Sequence, residues 1–514
     1  MLSPIINQGG LFPIVRGLRK LCWFLFKWGL LAAVVGVAVA IPYLYRQLDS
    51  EVRRRIEAKV AQHYPHLKVA VRSAEVVKGE GIQVRGLSIV DPAGQGPRAE
   101  LLHLEEVFLT CCADLDQLIA REPEVTRIRV RRPTLRVTRQ PDGSWSAAQL
   151  LPLPKFGPRP PEMIVENGAI EVFDASKTPS STLTLRDVNL RLSSVKAADV
   201  GGGAALGGPL GSPALPVPPT TAPDARRLQA SLSGDLFERV EVEGLVDLAR
   251  SWCELGGTVK GLHVSPELRH ALPADLATRL APLGPLRGLV TLDFRATYEP
   301  DSEPAMRFDV WGELTGGRWD DGRLPHPLTD VYGKFRATND GLAVDRLFAR
   351  SGQSTLRVSG RRDGYEERSP LALRAEIRQL DLDPQLNEVL PDVLRAQWSK
   401  YSPAGQVHIN ATLDYDGRDW RAEASVECLK VSFSYYKYPY RLEHAKGSVE
   451  LKDDVLRVNL LGYSGSQPVR VTAEGYSPLT RPYGWLEAKG ENLPLDEKLF
   501  AAIPEPSRSV VRSL

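Results

Sequence analysis

A fifteen-residue segment occurs three times in the chain, and this repetition constrains the fold more than any other feature. The copies are VKGLHVSPELRHALP at 259–273, IRQLDLDPQLNEVLP at 377–391 and GENLPLDEKLFAAIP at 490–504. The equivalent leucines are Leu262, Leu380 and Leu493, which are 118 and 113 residues apart. This spacing indicates one structural unit of about 115 residues per copy, and therefore a chain built by repetition.

Each copy predicts a strand that runs into a short capped helix. Ser265, Asp383 and Asp496 occupy the same position, and Ser and Asp are preferred helix N-caps. Pro266 and Pro384 follow at the first helical position, where the missing N–H costs nothing. A further proline ends each copy, so we expect the helix to stop there.

Much of the remaining chain alternates apolar and polar residues with a period of two, which is typical of half-buried strands. Turn residues at Asp91-Pro92, 141–143 and Asn167-Gly168 separate the strands near the N-terminus. The strands predicted there are 68–77, 81–90, 127–130 and 134–139.

The alternation is itself repeated. Residues 333–360 align with 447–475, so that apolar residues fall on one face and Arg, Glu and Thr on the other. Asn339-Asp340-Gly341 and Asp453-Asp454 occupy the matching hairpin turn. The fold class predicted is therefore mostly β: an elongated, repetitive, curled antiparallel sheet with a gutter-like form and one short capped helix per repeat.

Residues 21–45 are almost entirely apolar, with Lys27 as the single charge, and are about long enough to cross a bilayer. We interpret them as a transmembrane anchor that follows a cytoplasmic segment at 1–20 and precedes a juxtamembrane helix at 46–66. A cleaved signal peptide is the alternative, because Ala38 and Ala40 form a small-x-small site. A long domain after the span can be translocated, so we place the bulk of the chain outside the cytoplasm.

Composition excludes some classes of protein. The net charge of +2 implies no strong attraction to nucleic acid.

Residues 196–227 are rich in Gly, Pro and Ala without periodicity, which predicts a disordered loop. A proline-rich docking site is the alternative. Five cysteines are too few for a disulfide scaffold, although a bridge between Cys253 and Cys428 stays open.

No constellation of residues indicates catalysis, a metal site or a cofactor. His63 and His66 have metal-like spacing but no acidic or thiol partner. Asp320-Asp321 lies beside turn residues, where carboxylates bind backbone N–H groups. The tyrosines of the segment 435–440 are compatible with a carbohydrate or lipid-headgroup site, and equally with an edge strand.

One region resembles a known family. The predicted anchor and basic helix are followed by GIQVRGLSIVDP at 81–92, and then by a strand entry of the form P-x-L-x-V-x-R at Pro133 to Arg139 with a turn at Asp142-Gly143. This order is similar to the N-terminal region of the AsmA-like family of bacterial envelope proteins, and it covers roughly residues 20–175. Ser144-Trp145 stands where that family usually has Asn-Trp. The resemblance implies an elongated β-gutter, anchored in the inner membrane, that helps lipids to move through the periplasm.

The apolar strand faces support the same hypothesis, because one short helix per repeat is too little to cover a long sheet. Either two sheets pack as a sandwich, or one sheet curls around acyl chains, each methylene of which gains about 0.8 kcal/mol on leaving water. The first arrangement would make the protein a structural envelope scaffold without lipid cargo. The second predicts phospholipids as partners. Eleven inward-pointing residues are the candidate contacts: Leu135, Val137, Val290, Leu292, Phe294, Val407, Ile409, Val449, Leu451, Val469 and Val471.

We therefore expect an AsmA-like β region at 67–195 and β repeats at 228–276, 277–394 and 395–514. The third repeat ends early, which predicts either a shortened version of a longer protein or a protein partner at the C-terminal sheet edge.

Overall fold

A computed structural model of the chain describes residues 50–77, 80–94, 96–111, 125–152, 154, 160–175, 181–195, 225–247, 250–272, 277, 281–477, 483–493, 497–503 and 508. The described part of the fold is mostly β, with 66% of its residues in strands. The chain divides into two compact units, Met1–Ser176 and Lys177–Leu514.

The described residues of the first unit form one α-helix and five strands. Residues 50–63 form helix α1, which ends next to Pro65 as the sequence predicts. The strands are β1 (Lys68–Val77), β2 (Gly81–Val90), β3 (Glu100–Cys111), β4 (Val125–Arg139) and β5 (Glu162–Asp174). Short 3₁₀ turns at Gly96–Ala99 and Ser146–Leu150 join them.

Helix α1 covers the core of this unit. Val52, Ile56 and Val60 recur every four residues and therefore share one face of the helix. That face packs on a cluster of buried side chains from β1 to β4. The Tyr64 hydroxyl, directly after the helix, donates to the carbonyl oxygen of Leu150 at 3.0 Å, which fixes the end of α1 to the 3₁₀ turn.

The prediction of a purely antiparallel sheet is wrong at one place, because β4 and β5 are parallel. Ion pairs between residues 35 positions apart match this register: Arg127 pairs with Glu162 at 2.7 Å and Arg131 with Glu166 at 3.0 Å. A third pair joins Arg136 and Glu171 at 3.0 Å. The pairs lie on a largely solvated face, where each contributes at most about 1 kcal/mol, but together they favour the parallel register.

Two local predictions in this unit are also wrong. The predicted strands 127–130 and 134–139 are parts of the single strand β4. Arg132 lies between them with a positive φ of 46°, but the strand continues through this local irregularity. Asn167-Gly168 is not a turn but lies within β5, where Asn167 has φ 53°. Asn tolerates this conformation, and the strand continues through it, because the offset of 35 residues to β4 is the same on both sides.

The second unit is one sheet of sixteen strands in which each strand pairs antiparallel with the next along the chain. The described pairings do not close the sheet. Its strands are β6 (Ser181–Ser194), β7 (Arg226–Gly234), β8 (Phe237–Asp247), β9 (Trp252–Val264), β10 (Leu286–Tyr298), β11 (Met306–Trp319), β12 (Leu328–Thr338), β13 (Gly341–Ser351), β14 (Ser354–Asp363), β15 (Leu371–Leu382), β16 (Ala404–Tyr415), β17 (Trp420–Tyr435), β18 (Tyr438–Lys452), β19 (Val455–Ser464), β20 (Gln467–Tyr476) and β21 (Tyr483–Gly490).

The repeated segment folds as predicted in its first two copies. Helix α2 (Pro266–Ala271) follows β9, and helix α3 (Pro384–Val389) follows β15. The Ser265 hydroxyl accepts a hydrogen bond from the Leu268 N–H at 3.3 Å, and the Asp383 carboxylate accepts one from the Leu386 N–H at 2.8 Å. The predicted third cap, Asp496, lies outside the described residues. Helix α5 (Glu497–Ala502) occupies the corresponding position there.

Six strands therefore separate successive capped helices: β10–β15 before α3 and β16–β21 before α5. One more helix, α4 (Asp392–Tyr401), follows α3 and spans the repeat boundary drawn at 394. The matching turns also agree. Residues 339–340 join β12 to β13, and residues 453–454 join β18 to β19. Gly352 and Gly465 both have φ 60° in the next hairpin turn, which explains the recurrence of Ser-Gly at these positions without a nucleophile.

Each six-strand repeat has its own buried cluster. In the first it comprises Val290, Leu314, Val331 and Ala349. In the second it comprises Val407, Cys428, Val431, Leu442, Leu460, Val469 and Val471. Leu262 and Leu380, from the repeated segments, pack against these clusters. The hydrophobic cores thus lie at the end of the strands from which the capped helices start.

Among the residues that the structure describes, no helix combines the length and the apolar character needed to cross a membrane. The predicted cytoplasmic segment 1–20 and anchor 21–45 lie outside those residues. So does most of the predicted loop 196–227; its last two residues, Arg226 and Arg227, begin β7.

Candidate functional site

The candidate site is one face of the sheet in the second unit. We call it the inner face, and define it as the face that carries the buried side chains Val290, Leu314, Val407 and Val469. Because side chains alternate along each strand, strand register decides which residues share this face. The pairings therefore show how far its apolar character extends across the sheet.

One line of directly paired residues on the inner face crosses eleven consecutive strands, β7 to β17, without a polar side chain. We call this line the middle row. Its members are Leu232, Val240, Val259, Leu292, Gly312, Phe335, Val344, Gly360, Leu373, Leu413 and Ala422. The row passes from β15 to β16 without interruption, so it crosses the boundary between the two six-strand repeats.

A second line overlaps the first and reaches the last strand. We call it the second row, and it crosses the eight strands β14 to β21. Its members are Leu356, Ile377, Ile409, Val426, Val449, Val458, Ala473 and Leu486. The two rows overlap on β14 to β17 and together form one connected apolar strip. Every strand from β7 to β21 contributes at least one residue to this strip.

Most of this strip is half-buried and not sealed. In the middle row only Gly312 is buried. In the second row Leu486, on the last strand, is 56% exposed, and the other members are half-buried. Some members pack against the edges of the buried clusters, among them Phe335 in the first repeat and Val426 in the second. The strip is therefore a partly open margin of these cores that extends across the sheet.

The structure separates the eleven predicted contact residues into three groups. Val290, Val407, Val469 and Val471 are buried and belong to the two clusters of the second unit. Five more are half-buried on the inner face: Leu292, Ile409 and Val449, which pack against the edges of those clusters, and Phe294 and Leu451. Leu135 and Val137 are half-buried in the first unit, where Leu135 packs against that unit's core.

The opposite face of the same strands is polar and carries ion pairs. Arg336 lies 2.6 Å from Asp309 between neighbouring strands. Glu376 lies 3.7 Å from Arg357 and 2.5 Å from Arg378. The contrast shows that the apolar strip is confined to one face of the sheet.

The histidine and aspartate singled out in the sequence make structural contacts. No group of three or more His, Cys, Asp or Glu in the described part of the chain is arranged around a common point. His63 donates from Nε2 to the carbonyl oxygen of Pro152 at 2.8 Å. A hydrogen bond from Arg323 holds the pKa of Asp321 well below its usual range.

Cys253 and Cys428 are both free thiols, so the open disulfide between them is not formed. Burial, with a smaller contribution from Glu427, raises the pKa of the Cys428 thiol to about 11. A thiol of this kind is protonated at neutral pH and therefore a poor nucleophile.

Sequence reasoning missed several members of the strip, and one aromatic neighbour. Phe335, Leu373 and Leu413 join the middle row only through the register of each strand with its neighbours. Their alternation was visible in the sequence, but alternation does not say which strand pairs with which. Tyr401, at the end of α4, stacks on Tyr435 at 5.3 Å, and no sequence signal connected it with the tyrosine segment.

That tyrosine segment forms the closed end of the β17–β18 hairpin, where Tyr435 pairs with Tyr438. Both strands continue into the interior of the sheet and pair there with β16 and β19. The edge-strand interpretation of this segment is therefore wrong.

No protein-family profile matches the chain, and no curated protein matches it either.

Proposed function

We propose that the protein binds phospholipid acyl chains along the inner face of its second unit and has no catalytic role. The observation that carries this proposal is the middle row, which is apolar on eleven consecutive strands and half-buried at ten of them. An exposed apolar strip of this extent is a site for an apolar partner.

The size of the sheet supports an added partner. Sixteen strands at about 4.8 Å spacing extend for roughly 75 Å across the sheet. The helices described in this unit have six to ten residues, and a ten-residue helix is only about 15 Å long. Helices of this size cover one end of the strands and leave the middle of the inner face to something else.

Acyl chains fit the chemistry of the strip. Its side chains are aliphatic or aromatic and offer no directed hydrogen bonds, so they can accommodate a flexible tail in many positions. A tail gains about 0.8 kcal/mol per methylene removed from water. A strip that continues across the repeat boundary would let a tail move between repeats without entering water.

The finer parts of the proposal rest on the sequence. We propose an anchor at residues 21–45 in a bacterial inner membrane, a periplasmic location for both units, and a contribution to lipid transport and outer-membrane biogenesis, as the AsmA-like resemblance implies. A partner that pairs with the edge of β21 belongs to the same proposal, since all eight residues of that strand are exposed.

The competing candidate is a structural envelope scaffold without lipid cargo. The two buried clusters favour it, because they show that one end of the inner face is already closed by the protein itself. The two candidates differ in what contacts the half-buried middle of the face.

Site-specific photo-crosslinking in cells tests the proposal. A photo-reactive amino acid is placed at Ile409 or Val449 on the inner face, and at the adjacent positions Asn410 or Glu450 on the polar face as matched controls. We expect phospholipid adducts, detected by mass spectrometry after irradiation, at the inner positions only. Equal adducts on both faces, or adducts with protein alone, would contradict lipid binding and favour the scaffold.

A further inference from the structure

The closed end of the β17–β18 hairpin carries an aromatic cluster of three strand and turn residues and one helix residue. Tyr435 is at its centre. The Tyr401 ring stacks on it at 5.3 Å, the Tyr438 ring stacks at 5.9 Å, and the Tyr436 ring meets it edge-on at 5.0 Å. We call these four residues the tyrosine surface.

The tyrosine surface is held in place by the rest of the unit. The Tyr436 N–H donates to the carbonyl oxygen of Lys400 at 2.8 Å, which joins the hairpin to α4. The Ser464 hydroxyl donates to the Tyr440 hydroxyl at 2.5 Å, which joins it to the β19–β20 turn. Phe433 and Tyr440 pack against the buried cluster of this repeat. The rings therefore have a defined orientation relative to the sheet.

Three of the four rings are nevertheless open to solvent. Tyr436 is 57% exposed, Tyr438 44% and Tyr401 39%. Aromatic residues rarely remain so exposed as a group unless they contact something, because each ring has a large apolar area to bury.

The charged residues of the hairpin end are cations, and the first acidic residue, Glu443, follows five positions after Tyr438. Lys437 lies between Tyr436 and Tyr438, with its Nζ 5.8 Å from the Tyr436 ring. Lys400 precedes Tyr401, and Arg441 follows Tyr440. The ten residues 433–442 include no Asp or Glu, so the hairpin end is cationic as well as aromatic.

The equivalent hairpin of the preceding repeat shows that the fold does not require this surface. There β11 and β12 are joined by residues 320–327, which contain no tyrosine. Their charges neutralise each other: Asp320 pairs with Arg318 at 2.8 Å and Asp321 with Arg323 at 2.6 Å. The aromatic and cationic composition is therefore specific to the β17–β18 hairpin.

We infer that the tyrosine surface docks on the headgroup region of a bilayer that contains anionic phospholipids. Tyrosine combines an apolar ring with a polar hydroxyl and is enriched at membrane–water interfaces. Each Lys or Arg near an anionic bilayer adds about 1 kcal/mol of attraction. The three cations and three exposed rings together match such an interface. This docking is independent of acyl-chain binding to the inner face.

A carbohydrate partner fits the surface less well. Tyr435 already has its neighbours stacked on it, and the hairpin end supplies no carboxylate to accept hydrogen bonds from sugar hydroxyls. The surface is also the projecting end of a hairpin, whereas small-ligand sites are concave.

The test uses the full chain held in phosphatidylcholine nanodiscs, which occupy any apolar N-terminal segment. The nanodiscs are mixed with sedimenting vesicles of phosphatidylcholine, with or without phosphatidylglycerol, and the vesicle-bound fraction is measured. The variants are Lys437→Glu and the pair Tyr436→Ala with Tyr438→Ala. Matched controls are Arg323→Glu, an exposed cation on the equivalent hairpin, and Tyr332→Ala, an exposed tyrosine elsewhere in the sheet. Circular dichroism confirms that each variant is folded.

We expect wild-type protein to bind only the vesicles with phosphatidylglycerol, and both hairpin variants to lower the association constant by about tenfold. The two controls should bind as the wild type does. Unchanged binding by the hairpin variants, or an equal loss in the controls, would overturn the inference. It would also be overturned if those variants lost binding to soluble peptidoglycan fragments but kept binding to vesicles, which would assign the surface to a glycan. None of these results depends on whether acyl chains bind to the inner face.

Discussion

Val407 and Ile409 lie two residues apart on the same face of β16, and they differ in what covers them. Val407 is 2% exposed and lies inside a buried cluster, whereas Ile409 is half-buried, packs against the edge of the same cluster and belongs to the second row. Val290 and Leu292 repeat this difference on β10. Each repeat thus has a buried end, which stabilises the fold, and a half-buried middle, which we assign to lipid. Apolar character alone does not distinguish the two regions.

The largest effect is expected at the buried end. Leu460 is 6% exposed in the cluster of the last repeat, and Leu460→Ala should lower the free energy of unfolding by about 3 kcal/mol, as truncated core leucines usually do. Chemical denaturation followed by circular dichroism measures the change. The neighbouring Leu461 is 38% exposed, so Leu461→Ala should cost less than about 0.5 kcal/mol. Similar losses in both variants would remove the distinction between the two sides of β19.

The next effect depends on pH. Burial raises the pKa of the Cys428 thiol from 9.0 to about 11, so the folded protein keeps this proton at a pH at which the unfolded chain has lost it. The stabilisation is fully present below about pH 9 and disappears as pH rises to about 11, a loss of about 2–3 kcal/mol. Denaturation at a series of pH values measures it.

Cys428→Val is the matched variant for this measurement, since valine is close in size and does not titrate. Its unfolding free energy should change less over the same interval. If wild type and variant lose stability in parallel, the thiol is not buried as described.

A smaller effect is expected where the capped helix begins at the buried end. Asp383→Ala removes the carboxylate that accepts from the Leu386 N–H at 2.8 Å, and loss of an N-cap typically costs about 1 kcal/mol. Asp392→Ala is the control, because this exposed residue near the start of α4 forms only a surface pair with Arg395 at 3.3 Å. Its removal should change the free energy of unfolding by less than about 0.5 kcal/mol. A larger loss from Asp392→Ala than from Asp383→Ala would contradict the assigned cap.

The smallest effect is expected in the middle of the inner face. Ile409→Val removes one methyl group that is already partly in water, so lipid-free protein should lose no more than about 0.5 kcal/mol, the lower limit for buried sites. The measurement is the same denaturation experiment. A loss of about 1–1.5 kcal/mol, as for a fully buried isoleucine, would mean that the middle of the face is part of the core.

Local chemistry made a good part of this fold predictable. β1 and β2 have the predicted bounds, and the caps at Ser265 and Asp383 form as expected. In each case the signal lies within a few residues: alternation for a strand, or an oxygen-bearing side chain before a proline for a cap.

The errors have a different origin. Asn167-Gly168 has the composition of a turn, but pairing with β4 on either side of it keeps the direction of the strand. The parallel register of β4 and β5 is accompanied by Arg–Glu pairs 35 residues apart, which no local pattern reveals. The division of the predicted contact residues into buried and half-buried ones is also non-local, because burial depends on which strands and helices pack over them.

The central claim is tested most directly by measuring how readily water-soluble reagents and lipid reach the two regions of β16. Val407→Cys and Ile409→Cys are prepared separately in the full chain and treated with a water-soluble maleimide, with and without added phospholipid. Mass spectrometry of the peptide that carries the new cysteine gives the rate of modification. We predict that position 409 reacts readily without lipid and is protected by lipid, while position 407 is unreactive in both conditions. Equal protection of both positions without lipid, or modification at 409 that lipid does not change, would contradict an open apolar face that binds acyl chains.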